Sequence, residues 1–139
     1  MQLIFSRSRT IGSPLIRLAT WGTWSHCGIL TPEQTILEAR WPQGVVETPV
    51  EQFRAHASHH EEATIATPDD AAGIAWARRQ IGKPYDTFGV LSLGIQRDWE
   101  DPEKWWCSEF VEAALIAAGR RRFRHGSRRI TPQHSWMVL

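Results

Sequence analysis

The feature that most constrains the fold is a change of texture at Thr67. Before it, short apolar runs are cut by Pro, Gly and polar turns; after it, apolar residues recur three and four apart. Short runs between turn residues suit strands, and the wider spacing suits one face of a helix. Strands followed by helices make an α+β chain, with an antiparallel sheet packed against helices.

Within the first part, residues 2–5 suit a strand, and Ser13-Pro14 offers an N-cap and first-turn proline for a brief helix over 13–18. Segments 26–30 and 35–39 read as strands, and Thr31-Pro32-Glu33-Gln34 between them can only turn, which predicts a β-hairpin. Residues 45–48, started by Gly44 and stopped by Pro49, and 63–66, before Pro68, add two more strands. In the second part, Thr67-Pro68-Asp69-Asp70 opens a helix that Ile74, Ala77, Arg78 and Ile81 carry to Gly82. A shorter helical stretch covers 87–93. The last helix, over 106–118, aligns Phe110, Val111, Ala114, Leu115 and Ala118 on one stripe and is closed by Gly119. A length of 139 residues fits one compact domain, 1–139.

A formal net charge of +1 gives no global field for nucleic acid or a membrane. Arg120, Arg121, Arg122, Arg124, Arg128 and Arg129 crowd together, but a run without a clustered face reads as a solvated helix end and connector, so no nucleic-acid partner is expected. No apolar run approaches a bilayer span, and Met1 to Phe5 lacks the basic start of a signal peptide, so a cytoplasmic chain is expected. Cys27 and Cys107 then read as free thiols in a reducing compartment. Eight tryptophans either line a groove or fill the core.

Cys107 precedes Ser108-Glu109 in the first turn of the last helix, where unpaired N–H groups and the helix dipole favour a thiolate. An alternative start at Asp101-Pro102 would move Cys107 into the second turn. In the hairpin, a turn centred on Pro32 sets His26 opposite Glu38, because both lie the same number of residues from it. Opposed side chains share a face with Cβ atoms about 4.5–5.5 Å apart, close enough for a carboxylate to accept the imidazole N–H. A turn shifted by one residue would move Glu38 to the other face and make Glu47 the orienting residue. Strand alternation sends Cys27 away from His26, which argues against a Cys27–Cys107 disulfide and against a zinc site made of both sulfurs and His26. His56, His59, His60 and Glu61 lie in a polar loop without a companion at ligand spacing. No metal and no cofactor are expected.

Taken together, Trp24-Ser25-His26-Cys27-Gly28-Ile29, Ile36-Leu37-Glu38-Ala39, Gly82-Lys83-Pro84-Tyr85-Asp86 and Trp106-Cys107-Ser108-Glu109-Phe110-Val111 resemble the circularly permuted branch of the NlpC/P60 cysteine hydrolases. In that branch the histidine strand precedes the cysteine helix. The group is also similar to lecithin:retinol acyltransferase-like proteins, whose membrane-anchoring extensions have no counterpart in this sequence. The resemblance implies a papain-like fold, a Cys107-His26-Glu38 triad and an acyl-enzyme mechanism. It makes Tyr85 a residue near the nucleophile that positions substrate or stabilises an oxyanion. Ser108, Trp24 and Trp106 join it as candidate substrate or oxyanion contacts, with Trp21, Trp41 and Trp105 as further specificity candidates. The expected partner is a small-molecule, peptide or lipid acyl substrate; the alternative is a binding module that keeps a Trp-lined groove without catalysis. Oligomeric state is not legible.

Overall fold

The computed structural model describes residues 1–8, 22–87, 103–124 and 130–139. Strands β1 (Gln2–Ser8), β2 (His26–Leu30), β3 (Thr35–Arg40), β4 (Gly44–Pro49) and β5 (Ala57–Thr64) form one five-stranded sheet in the order β4-β3-β2-β1-β5. Every neighbouring pair is antiparallel. Four helices accompany it among the described residues: α1 (Val50–His56), α2 (Asp70–Arg78), α3 (Cys107–Ala117) and α4 (Pro132–Met137). The fold is α+β.

Leu3-Ile4-Phe5, Ile29-Leu30 and Ile36-Leu37 are apolar without alternation. Successive strand residues point to opposite faces, so such runs need cover on both. Leu3, Phe5, Cys27, Ile29, Leu37 and Ala39 pack with Phe110, Val111, Ala114 and Leu115 of α3. On the other face, Ile4, Leu30 and Ile36 meet Val50 and Phe53 of α1.

The hairpin forms with a different centre. Thr31 N–H donates to the Thr35 carbonyl at 2.9 Å, Gln34 N–H donates to the Thr31 carbonyl at 3.1 Å, and Gln34 has φ of 60°. This is a three-residue loop, a turn followed by one left-handed residue. Ile29 pairs with Leu37 and Leu30 with Ile36, which centres the turn on Glu33 instead of Pro32. Moving the centre by one residue moves the partner by two, so Glu38 keeps the face of His26 and the expected flip does not occur.

Other differences have equally local causes. The strand expected over 63–66 ends at Thr64 and reaches back to Ala57, so His59, His60 and Glu61 lie on a strand and not in a loop. Its ladder to β1 is made by backbone groups, which polar side chains do not oppose, and charge on an edge strand guards it against stray pairing. Asp69 caps α2 by accepting from Ala72 N–H at 2.9 Å, but that helix stops at Arg78 and Ile81 is 46% exposed. The chain turns there because Gly82 N–H donates to the Val45 carbonyl and Val45 N–H to the Lys83 carbonyl, both at 2.9 Å. Gly44 permits this approach: its φ is 83°, and a Cβ would lie 2.1 Å from the Lys83 carbonyl oxygen. The brief helix expected over 13–18, and the 88–93 part of the one expected from Thr87, lie outside the described residues.

Helix α3 begins at Cys107 with Trp106 as N-cap, so the start at Asp101-Pro102 does not apply. It ends with Gly119 N–H bonded to the Ile116 carbonyl and Arg120 N–H to the Leu115 carbonyl, the paired bonds of a Schellman motif. The basic run that follows is not all solvated. Arg122 turns inward, binds both carboxylate oxygens of Glu112, and donates to the Ser135 carbonyl at 3.1 Å and the Ser135 hydroxyl at 2.6 Å. Both charged side chains are 2% exposed. Arg120, Arg121 and Arg124 are exposed, while 125–129 lie outside the described residues. Among the described residues, no helix is long and apolar enough to cross a membrane.

Candidate active site

Cys107 occupies the first helical position of α3, and no side-chain hydrogen bond from Trp106 takes up the N–H groups of that turn. Such unpaired donors, with the positive end of the helix dipole, favour negative charge on the sulfur. The thiol is 6% exposed. His26 opens β2, and its ring stacks on Phe53 of α1 with centroids 5.8 Å apart. Strand parity puts His26 on the α1 face with Glu38, and its hydrogen bonding involves both Glu38 and Cys107.

His26 Nε2–H donates to Glu38 Oε2 at 2.5 Å, which leaves Nδ1 for Cys107. Glu38 is 1% exposed; its Oε1 accepts from Thr48 Oγ1 at 2.8 Å and lies 3.8 Å from Arg40 Nη1. This is a buried, hydrogen-bonded pair, unlike a surface ion pair of little worth. Glu47 is committed elsewhere, to Arg78 at 3.0 Å and to the Thr35 hydroxyl at 2.6 Å.

The electrostatics follow from these contacts. Burial disfavours a charged His26, but hydrogen bonds with Cys107 and Glu38 outweigh it and raise the imidazole to about 10. Hydrogen bonding from the Cys27 thiol, then from His26 and the Cys27 backbone N–H, overcomes burial and holds Cys107 well below the ordinary thiol range. Burial would raise Glu38, but the His26 hydrogen bond and charge and the Thr48 hydroxyl lower it. All three shifts run in the direction of a thiolate, an imidazolium and a carboxylate in series.

That order fixes a pH profile. A lowered thiol stays ionised above its own pKa, so alkylation of Cys107 by iodoacetamide is expected to be level across neutral pH and to fall only in acid. The imidazolium persists until pH rises through about 10. A rate that instead climbs steadily from neutral to alkaline pH, as for an ordinary cysteine, would remove the ion pair.

Tyr85 is placed by a bridge to Trp105: Trp105 N–H donates to the Pro84 carbonyl at 3.2 Å and Asp86 N–H to the Trp105 carbonyl at 3.1 Å. Burial, then the negative charge at Cys107, pushes its phenol well above the usual range, so it remains a donor. Ser108 is buried and its hydroxyl donates to the Ile130 carbonyl, so that side chain fastens the chain instead of facing substrate. Trp24 packs against Phe5, Trp136 and His59, a core position. The indole N–H groups of Trp105 and Trp106 are buried without a partner. Trp41 is 65% exposed, and Trp21 lies outside the described residues.

Sequence reasoning missed Thr48 and Phe53. The strand parity of 45–48 carried the signal for Thr48, and the three-residue spacing of Val50 and Phe53 that for α1. Cys27 turns to the face opposite His26 and both cysteines are free, as expected, but that alternation does not part Cys27 from Cys107. That side chain does leave the α1 face of the sheet, but Cys107 packs in the same core cluster on the side to which it turns.

No family model matches the chain. The chain is similar to YiiX. It is 30% identical over 118 residues to the protein of Escherichia coli K12 described as "Uncharacterized protein YiiX", a match covering 78% of this chain and 53% of that one. The chain thus spans about half the length of this curated relative. A solved structure from Escherichia coli O157:H7, named "metalloprotein yiiX", aligns with a TM-score of 0.67 and 29% identity over 87% of this chain and 67% of that chain.

The name of that structure overturns the expectation that no metal is involved, which rests on strand alternation at Cys27 and on ligand spacing at His56, His59, His60 and Glu61. Cys27, Cys107 and His26 interact in spite of that alternation. They nevertheless do not make a ligand set as they stand: Nε2 of His26 is given to Glu38, and among the described residues no group of three or more His, Cys, Asp or Glu side chains is arranged to hold an ion.

Proposed function

We propose that the chain is a cysteine hydrolase of papain-like, circularly permuted NlpC/P60 type, with Cys107 as nucleophile, His26 as acid and base, and Glu38 as the residue that positions His26. The observation that carries this is the 2.5 Å hydrogen bond from His26 to the buried Glu38, with Cys107 at the start of α3.

With the proton already on His26, the thiolate attacks an amide or ester carbonyl, forming a C–S bond as the carbonyl electron pair moves to oxygen. First-turn N–H groups of α3 stabilise that oxyanion, a contribution of about 3–4 kcal/mol per donor in comparable sites. The unpartnered indole N–H of Trp106 and the phenol of Tyr85 are further donors for substrate. His26 then protonates the leaving amine or alcohol, and afterwards deprotonates the water that cleaves the thioester. Glu38 keeps the imidazole oriented throughout and stabilises its charged form. The substrate class is an acyl compound: a peptide, a lipid or a small amide or ester.

The test is labelling with an electrophilic acyl probe followed by peptide mapping. Wild type is expected to carry the label on Cys107, and Cys107→Ala to carry none. Label on Cys27 or on lysines, or none on a folded wild type, would end the proposal.

The name of the Escherichia coli O157:H7 structure favours a second reading, a metal-holding protein. Elemental analysis of the purified chain separates the two. A stoichiometric ion whose removal by chelation leaves Cys107 labelling unchanged would place the metal apart from the triad; labelling that needs the ion would replace the triad mechanism.

A further inference from the structure

In the proposed mechanism Cys27 gives up no proton and forms no bond, yet its position is specific. It is the second residue of β2, fully buried, and turned into the layer where α3 presents Cys107. Alanine or valine would fill that core position as well. What cysteine adds is a second sulfur in the layer of the first: both cysteines are free and share one core cluster, and hydrogen bonding from the Cys27 thiol is the largest influence on Cys107.

We propose that Cys27 is a resolving cysteine for Cys107, so that a peroxide converts the pair to a Cys27–Cys107 disulfide and reversibly switches the site off. Only Cys107 is exposed at all, so it meets the oxidant first. Its thiolate attacks one peroxide oxygen: an S–O bond forms, the O–O bond breaks, sulfur loses two electrons to the peroxide, and the departing hydroxide takes a proton to leave as water. Cys107 is then a sulfenic acid. The Cys27 sulfur attacks Cys107 Sγ, the S–S bond forms and the S–O bond breaks, and the hydroxide leaves with the Cys27 proton as a second water. A neighbouring thiol captures the sulfenic acid before a second peroxide can carry it to the irreversible sulfinic state. Burial pushes the Cys27 thiol up, so it does not compete for the oxidant and gives up its proton only to the hydroxide that leaves Cys107 as it attacks.

This rests on the thiolate of the proposed active site, and the two are separable. Acyl-probe labelling of the reduced chain tests the hydrolase site; intact mass after hydrogen peroxide tests the pair. Wild type is expected to lose about 2 Da, to yield a Cys27–Cys107 cross-linked peptide, to stop labelling, and to recover both mass and labelling on treatment with dithiothreitol. Cys27→Ser is expected to gain about 32 Da at Cys107 instead, without recovery. Should that variant fail to fold, the wild-type peptide map decides alone. Dioxidised Cys107 beside a free Cys27 thiol, a disulfide only between two chains, or labelling blocked without the mass loss would overturn the proposal.

Discussion

Replacing His26 with alanine is expected to slow acylation of Cys107 about 10³-fold at neutral pH, which corresponds to about 4 kcal/mol of barrier. Two effects act together. The thiol loses the cation that helps keep it ionised, and the leaving group loses its acid. Glu38→Gln keeps an oxygen for Nε2–H but removes the charge behind it, so a loss of about tenfold is expected, because the imidazolium is less favoured while its orientation survives. Initial labelling rates, with thermal melts to confirm that each variant is folded, decide the matter. Labelling of His26→Ala at the wild-type rate would show that the imidazole takes no part.

The largest expected effect on stability lies elsewhere. Arg122→Ala should destabilise the fold by about 3–5 kcal/mol, since it leaves the Glu112 carboxylate buried with only Ser135 as a donor. At this chain length that corresponds to a fall in melting temperature of roughly 10 °C or more. Replacing both charges, Arg122→Met with Glu112→Leu, is expected to recover most of the loss, because no unpaired charge then remains. Arg124→Ala, on the exposed side of the same run, should stay within about 0.5 kcal/mol of wild type. Chemical denaturation of the four proteins measures all of this; equal small losses for Arg122 and Arg124 would show that the buried pair does not hold α4 to α3.

How much of this was legible in the sequence depended on how local the cause was. The strands at 26–30 and 35–40 announce themselves by composition, and Pro32 marks the turn. The face shared by His26 and Glu38 survives a misplaced turn centre, because parity and not exact opposition decides it. Helix α3 is equally plain from its apolar stripe and its closing glycine. Helix α1 was not, since it is a seven-residue helix without a side-chain cap, and only Val50 and Phe53 are buried. Helix α4 did leave a signal, Thr131-Pro132, where the hydroxyl accepts from His134 N–H at 3.1 Å. What no local pattern could supply were the distant contacts: the inward turn of Arg122 to Glu112, and the meeting of two cysteines that strand alternation alone seemed to separate.

Because the sheet has helices on both faces, the proposed triad straddles it. The sulfur belongs to one layer, and the ring's support, Phe53 with the carboxylate, to the other. The packing of both layers thus bears on the position of the imidazole. Substitutions beneath α1, remote from the sulfur, are therefore expected to lower reactivity at Cys107 together with stability, so that this outer layer couples the proposed nucleophile to packing on the far side of the sheet.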